Sequence, residues 1–335
     1  MMSILQTLID GNDLTQQQSQ QFFAEVIHGD VDANLLASVL TALRIKGETP
    51  EEIAGAALAI RAAATPFPQN NRKLVDCVGT GGDGHNTINI STTAALVAGA
   101  CGLDVAKHGN RSVSSKSGSA DLLEAFGVKL DMAPSTALDC IEHAGTCFLF
   151  APRYHMGFKH AAPVRAAMGV RTLFNILGPL VNPAAPKVML LGVYDNALLM
   201  PMAKALQLTG VERAWVVHGS GLDEVAIHGE TEVVEINGAQ ITQHIVSPSD
   251  FGLATHPLEQ IKGGTPEENA TYSMAILEGH GAPAHTAAVI INAAALLYLA
   301  GKADDLQQAA EKVTEIIGQG LPAKTLKALV EVSNG

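Results

Sequence analysis

Five short, almost uninterrupted apolar runs constrain this chain more than any other feature. They are KLVDCVG (73–79), LDVAKHG (103–109), TCFLFAP (146–152), VMLLGVY (188–194) and AWVVHG (214–219), separated by stretches that read as helices. A strand that is apolar on both faces must be covered on both, which predicts a parallel sheet between layers of helices. Residues 1 to about 65 carry no strand pattern and read as four helices. In TPEEIAGAALAIRAAA, Thr49, Pro50 and Glu52 form a start signal with a capping box, and DANLLASVLTALRIKG stops at Gly47. The polar segment TPFPQNNRK (65–73), with two prolines, is the expected linker. In TEVVEINGAQITQHIV, Asn237-Gly238 marks a tight hairpin, and Thr265 to Val332 returns to helices. The Pro- and Gly-containing segment 153–185 lies between two expected strands and is placed back against the helical lobe. The expected fold is therefore α/β with a separate all-α lobe. A small N-terminal helical domain (1–70, with a return segment near 165–185) sits beside a larger, mostly parallel sheet flanked by helices (71–335), in keeping with a chain of 335 residues that exceeds one core.

A formal charge of −12 argues against a general nucleic-acid or anionic-membrane surface, so any phosphate site must be local. Cys77, Cys101, Cys140 and Cys147 show no CxxC spacing and read as buried free thiols in a reducing compartment. The first residues lack the basic and apolar regions of a signal peptide. AAVIINAAALLYLAG (287–301) is shorter than the roughly 20 residues that span a bilayer and reads as a buried helix. A cytoplasmic location is expected.

The run after the first strand, DCVGTGGDGHNTINIST (76–92), is the most distinctive stretch. Gly79, Gly81 and Gly84 satisfy the GxGxxG spacing of a dinucleotide fingerprint, yet HNTINIS intervenes before the helix TTAALVAGA, and Asp104 begins the second strand instead of ending it. That strand ends in KHGNR. Lys107, Arg111 and Lys116 fall within ten residues of an acidic protein, among serines 112, 114, 115, 117 and 119, ahead of a helix beginning near Ser119. Both loops belong at the carboxyl ends of strands, where a polyanion would meet backbone donors and helix N-termini. Asn89, Ser91 and Thr92 can cap the following helix as well as bind phosphate.

Asp223 and Glu224 follow a strand and a glycine-containing turn. In a loop both carboxylates can face one Mg²⁺ ion, with Ser91 as a further oxygen; the alternative is two solvated acids. Arg165, after Pro163 and Val164 on an expected helix, can grip a carboxylate in a bidentate fork or form a surface ion pair. No zinc spacing or hydrolytic triad stands out.

Taken together, GTGGDG (79–84), NIST (89–92), KHGNRSVSSKSGSAD (107–121), PVR (163–165), NILGPLVNP (175–183) and GLDE (221–224) resemble the anthranilate phosphoribosyltransferases of tryptophan biosynthesis, in order and over nearly the whole chain. The resemblance implies transfer of phosphoribose from phosphoribosyl pyrophosphate to the amine of anthranilate, with inversion at C1, Mg²⁺ as cofactor and a homodimer. By motif, Gly79, Thr80, Gly82, Asp83, Thr87, Asn89, Ser91, Thr92, Lys107, Ser115 and Ser119 match the phosphoribosyl-pyrophosphate site. Gly79, Asn110 and Arg165 match the anthranilate site, and Ser91, Asp223 and Glu224 match the metal ligands. No dedicated catalytic acid or base is implied, since an aryl amine is unprotonated at neutral pH and the tasks are positioning and charge stabilisation. The sequence departs from the family at Met156, Gly157 and Phe158, where proline, alanine and methionine are usual. A pyrimidine nucleoside phosphorylase would have lysine, serine, glycine, arginine and glycine where Lys107 to Arg111 read KHGNR. A silent nucleotide-binding regulator would not need Asp223, Glu224 and Arg165 together.

Overall fold

The computed structural model describes residues 2–112 and 116–335. The helical lobe holds α1 (Met2–Ile9), α2 (Gln16–His28), α3 (Ala33–Lys46) and α4 (Pro50–Ala62). Helix α4 starts as its sequence demands: Thr49 caps it, Pro50 opens it, and the Glu52 carboxylate accepts the Thr49 N–H at 2.8 Å. Glu52 is fully buried. It also accepts the Leu14 N–H at 2.8 Å and pairs with Lys46 at 3.0 Å, so one carboxylate ties the entrance of α2, the end of α3 and the start of α4.

The remaining elements alternate: β1 (Leu74–Gly79), α5 (Ile90–Ala100), β2 (Asp104–Gly109), α6 (Ser119–Ala125), α7 (Pro134–Ala144), β3 (Thr146–Phe150), α8 (Ala151–Tyr154), α9 (Phe158–Met168), α10 (Phe174–Leu177), β4 (Val188–Gly192), α11 (Leu199–Leu208), β5 (Arg213–His218), β6 (Thr231–Asn237), β7 (Gln240–Val246), α12 (Pro266–Leu277), α13 (Pro283–Leu299), α14 (Leu306–Gly318) and α15 (Leu321–Asn334). The sheet runs β3-β2-β1-β4-β5-β6-β7, parallel through β5 and antiparallel in the last two strands.

Two corrections concern boundaries. The hairpin turn is Gly238-Ala239, because Asn237 is still paired with Gln240; Gly238 takes the left-handed first position (φ 59°). Helix α5 begins at Ile90, ahead of the expected Thr92.

Strand residues point alternately into two cores, which is why the runs read as continuous. Val188, Leu190, Trp215 and Val217 face α5, α13, α14 and α15, whereas Met189, Leu191, Ala214 and Val216 face α11. The second core is continuous with the interior of the helical lobe, and α9 and α10 join it by packing on α2, α3 and α4. Helix α13 is buried along nearly its whole length, and no helix among the described residues is long and apolar enough to cross a membrane. All four cysteines are free; burial pushes the Cys77, Cys101 and Cys140 thiols up to about 12, which leaves them protonated.

Replacing Glu52 by Ala should leave the Leu14 and Thr49 N–H groups unpaired and strip the Lys46 ammonium of its buried partner, leaving it only Asp13 and the Gly47 carbonyl. We expect a loss of about 3 kcal/mol or more in urea denaturation followed by circular dichroism. An unchanged midpoint would show that this carboxylate does not hold the lobe together.

Candidate active site

The chain lays down β1, β2 and β3 outward in one direction, then crosses to place β4 on the other side of β1. The strand order reverses there, and an open α/β sheet has its natural crevice at the carboxyl ends of the strands flanking that point. Those ends are Gly79 and Gly192, paired in register. Thr80 N donates to the Gly192 carbonyl at 2.9 Å, and Thr80 Oγ1 accepts the Tyr194 N–H at 3.1 Å, which seals the root of the glycine loop onto β4.

Asp223 enters the crevice from the loop after β5. Its carboxylate accepts the Gly81 N–H at 2.6 Å. A Cβ on Gly79 would overlap that carboxylate, and one on Gly192 would overlap the Asp223 backbone. Glu224 accepts both the N–H and the hydroxyl of Ser91, in the first turn of α5. The two acids are therefore held by the glycine loop and a helix N-terminus, not solvated at a surface. Burial, then the like charge of Asp83, pushes the Asp223 carboxyl up to about 7; burial, then Asp223, pushes Glu224 up to about 8. Among the described residues no three His, Cys, Asp or Glu side chains form a metal cage. Two carboxylates and a hydroxyl, all hard oxygen donors, still fit Mg²⁺, which takes the rest of its shell from water and phosphate.

The second loop is tied to the first by Asn89. Its amide donates to the Ser117 carbonyl at 3.1 Å, while its Oδ1 accepts from Ser117 Oγ and from Asn269 Nδ2. Asn89 makes no side-chain cap, so bridging replaces the capping role considered for it. Thr92 is buried in the first turn of α5, and Thr87 pairs with Lys262 in an isolated bridge. Asp83 Oδ1 accepts the His85 N–H at 3.1 Å and shapes the loop tip. Lys107 is buried, donates to the Cys77 carbonyl at 2.7 Å, and its charge acts on both Asp76 and Glu224. Asn110 is exposed at the end of β2, and its carbonyl accepts from Ser119 Oγ at 3.1 Å. Ser115 and Ser114 lie outside the described residues.

Arg111 departs from the phosphate-binding expectation. It forms a fork with Glu124 at 2.6 and 2.8 Å and reaches Asp121 at 3.1 Å, because α6 presents both acids to it. Asp104 pairs with Arg72 at 3.1 Å at the start of β2, away from the crevice, which removes the dinucleotide reading.

On the helical-lobe side, a row of rings runs from β2 through α9 to α10. His108 meets His155 edge-on at 5.1 Å, His155 meets Phe158 at 5.7 Å, and Phe158 meets Phe174 at 5.8 Å. The Arg165 guanidinium stands over Phe174 at 5.2 Å. Arg165 is half-buried, burial lowers its pKa, and no carboxylate among the described residues pairs with it, which removes the ion-pair alternative. Met156, Gly157 and Phe158 now have a structural account: Met156 is exposed, Gly157 lies against Ile27 of α2, and Phe158 supplies the third ring of the row.

Three further residues escaped the sequence reading. Asp76 is a fully buried carboxyl in the middle of β1, raised to about 6 by burial, and it accepts from Asn182 Nδ2 at 2.8 Å. Asn182 also donates to the Ala106 carbonyl, so it anchors the segment before β4 to both β1 and β2. An acid inside an otherwise apolar strand was the available signal for Asp76. Arg171 carried none, since its partners Gly82 and Tyr194 are remote in sequence.

The chain matches the model of the glycosyl transferase family a/b domain over residues 71–323 and that of the family's helical bundle domain over residues 2–64. It is 65% identical to the anthranilate phosphoribosyltransferase of Colwellia psychrerythraea, over 99% of this chain and 92% of that one. The crystal structure of anthranilate phosphoribosyltransferase from Thermus thermophilus superposes with a TM-score of 0.94 at 42% identity, covering 99% of both chains. The Saccharomyces cerevisiae anthranilate phosphoribosyltransferase in complex with PRPP and Mg superposes with a TM-score of 0.89 at 29% identity, covering 99% of this chain and 97% of that one.

The paired imidazoles make a pH-dependent contribution to stability. Burial, with His155 adding to it, lowers the His108 pKa to about 3, and burial lowers that of His155 to about 4. Below about pH 6.5 the unfolded chain protonates both rings while the folded chain refuses, so this contribution is lost as pH falls. The raised carboxyls of Asp223 and Glu224 act in the opposite sense, so the comparison must be between variants. Relative to a His108→Gln/His155→Gln variant, the parent should lose at least about 1 kcal/mol per pH unit between pH 6 and 5 in urea denaturation. Parallel stability curves for the two proteins would rule the contribution out.

Proposed function

The chain belongs to the anthranilate phosphoribosyltransferases, and on that premise we propose how its own residues divide the work. The reaction moves the phosphoribosyl group of phosphoribosyl pyrophosphate to the amine of anthranilate, a step of tryptophan biosynthesis, releasing pyrophosphate. Gly79, Thr80, Gly82, Asp83, Thr87, Asn89, Ser91, Thr92, Lys107 and Ser119, with Ser115 by motif, hold the sugar diphosphate; backbone N–H groups and the α5 N-terminus supply the donors. Arg165 receives the anthranilate carboxylate, with Asn110 and Gly79 beside the ring. Asp223, Glu224 and Ser91 hold Mg²⁺, whose chemistry is to neutralise charge on the departing pyrophosphate. The observation that carries this division is the meeting, at one strand-order reversal, of two half-buried carboxylates with the glycine loop and the α5 N-terminus, while a half-buried guanidinium, with no acid paired to it among the described residues, stands on the facing lobe.

No residue is assigned as a general acid or base. The amine lone pair is free at neutral pH, and the bond from C1 to pyrophosphate breaks with oxocarbenium character at the sugar. The protein's contribution is to fix the amine on the face opposite the leaving group and to exclude water. We further propose a cytoplasmic homodimer, and a lobe boundary near residue 70 with the segment around 165–185 returning to the helical lobe. Loss of anthranilate fluorescence on incubation with phosphoribosyl pyrophosphate and Mg²⁺ tests the reading directly; turnover that depends on both substrates is expected, and inertness would overturn it.

Arg165→Ala should raise the KM for anthranilate about tenfold or more, as expected for loss of a charged hydrogen-bonding partner, while the KM for phosphoribosyl pyrophosphate changes little. Equal effects on both substrates would refute the carboxylate role. Asp223→Asn/Glu224→Gln should shift the Mg²⁺ concentration for half-maximal rate upward by about tenfold or more. A metal titration superimposable on that of the parent would remove both acids from the ligand set.

A further inference from the structure

Arg171 lies in the link between α9 and α10, six residues beyond Arg165. Its neighbour Thr172 is buried and locked by a hydrogen bond from its N–H to Asn175 Oδ1 at 2.9 Å, and Leu173 is fully buried, so the base of the side chain is fixed to the helical-lobe side. The side chain crosses to the other lobe. Nη2 donates to the Gly82 carbonyl at 2.6 Å, and the guanidinium lies over the Tyr194 ring at 4.0 Å from its centroid. Tyr194 is itself held to the glycine loop through its N–H on Thr80 Oγ1. Arg171 is exposed, and no acid among the described residues pairs with it, so within the protein its charge meets a carbonyl dipole and a π face.

We propose that Arg171 is a positioning residue for the sugar diphosphate, setting the orientation of the glycine loop and linking it to the segment that carries Arg165. The peptide between Gly82 and Asp83 is planar and trans, so its carbonyl and its N–H point to opposite edges. By holding the Gly82 carbonyl, Arg171 turns the Asp83 N–H away from itself and leaves that donor free for a phosphate oxygen. Asp223 holds the Gly81 N–H, but Gly82 has positive φ, and without the guanidinium the peptide between Gly82 and Asp83 has more orientations open to it. Tyr194 keeps the guanidinium flat over the loop and makes no contribution without it.

The inference rests on the substrate assignment above. The test measures KM for each substrate, kcat and melting temperature for the parent, Arg171→Ala, Arg171→Lys, Tyr194→Leu and the Arg171→Ala/Tyr194→Leu pair. We expect Arg171→Ala to raise the KM for phosphoribosyl pyrophosphate about tenfold, with the anthranilate KM within about twofold and the melting temperature unchanged. Lysine, which can reach the carbonyl but cannot stack flat, should recover part of the loss. The pair should be no worse than Arg171→Ala alone. A phosphoribosyl-pyrophosphate KM within about twofold of the parent for Arg171→Ala, or additive losses in the pair, would overturn the assignment. Failure of the parent itself to turn over would instead overturn the substrate assignment.

Discussion

Two glycines that face each other across neighbouring strands are the constraint on which the site depends. Gly79 ends β1 and Gly192 ends β4, in register, at the point where strand order reverses. Both lack the Cβ that would collide with Asp223, so the loop after β5 can drop its acid into the crevice and bind the Gly81 N–H from below. The next residue, Glu224, then falls on Ser91 and fixes the first turn of α5 to the same loop. One dipeptide thus keys together β1, β4, the glycine loop and α5. A side chain at either glycine would displace it and with it the whole arrangement.

Such close packing has an electrostatic consequence. Two adjacent, half-buried carboxylates beside Asp83 disfavour their charged forms, which is why both titrate above their ordinary range. The facing lobe shows the mirror situation: Arg165 is half-buried over Phe174, and no acid among the described residues pairs with it. In a protein built for stability alone, either feature would be replaced by an apolar group or a matched pair. Their presence in one cleft fits the division proposed above, in which a cation meets one side and a carboxylate the other.

What was legible in the sequence followed from local rules. Apolar runs marked the parallel strands because both faces of the sheet are covered, and the Thr49-Pro50-Glu52 signal opened α4 because its partners lie within three residues. The glycine loop and the GLDE acids could be placed at strand ends for the same reason. Choices set by distant partners were not legible. The hairpin turn shifted by one residue because the β6–β7 register, and not the Asn-Gly dipeptide, decides which residues turn. Arg111 looked like a phosphate ligand from a local count of basic residues, yet acids at 121 and 124, brought round on α6, claim it. Arg171 could not be singled out at all, because its partners, Gly82 and Tyr194, come from a different lobe.

The fate of the basic residues also explains how an acidic protein can hold a polyanion. Arg111 is consumed by Glu124 and Asp121, and Lys107 is sunk into the sheet against a carbonyl. Lys116 stays exposed and Arg171 is turned to a loop carbonyl, so in the division proposed above most of the attraction comes from backbone N–H groups, the N-terminus of α5 and a metal on the paired acids. Fixed dipoles attract only groups that fit them, whereas a cluster of exposed lysines would attract any polyanion. On that proposal the formal charge of −12 works with the site, because it repels polyanions everywhere outside the loops.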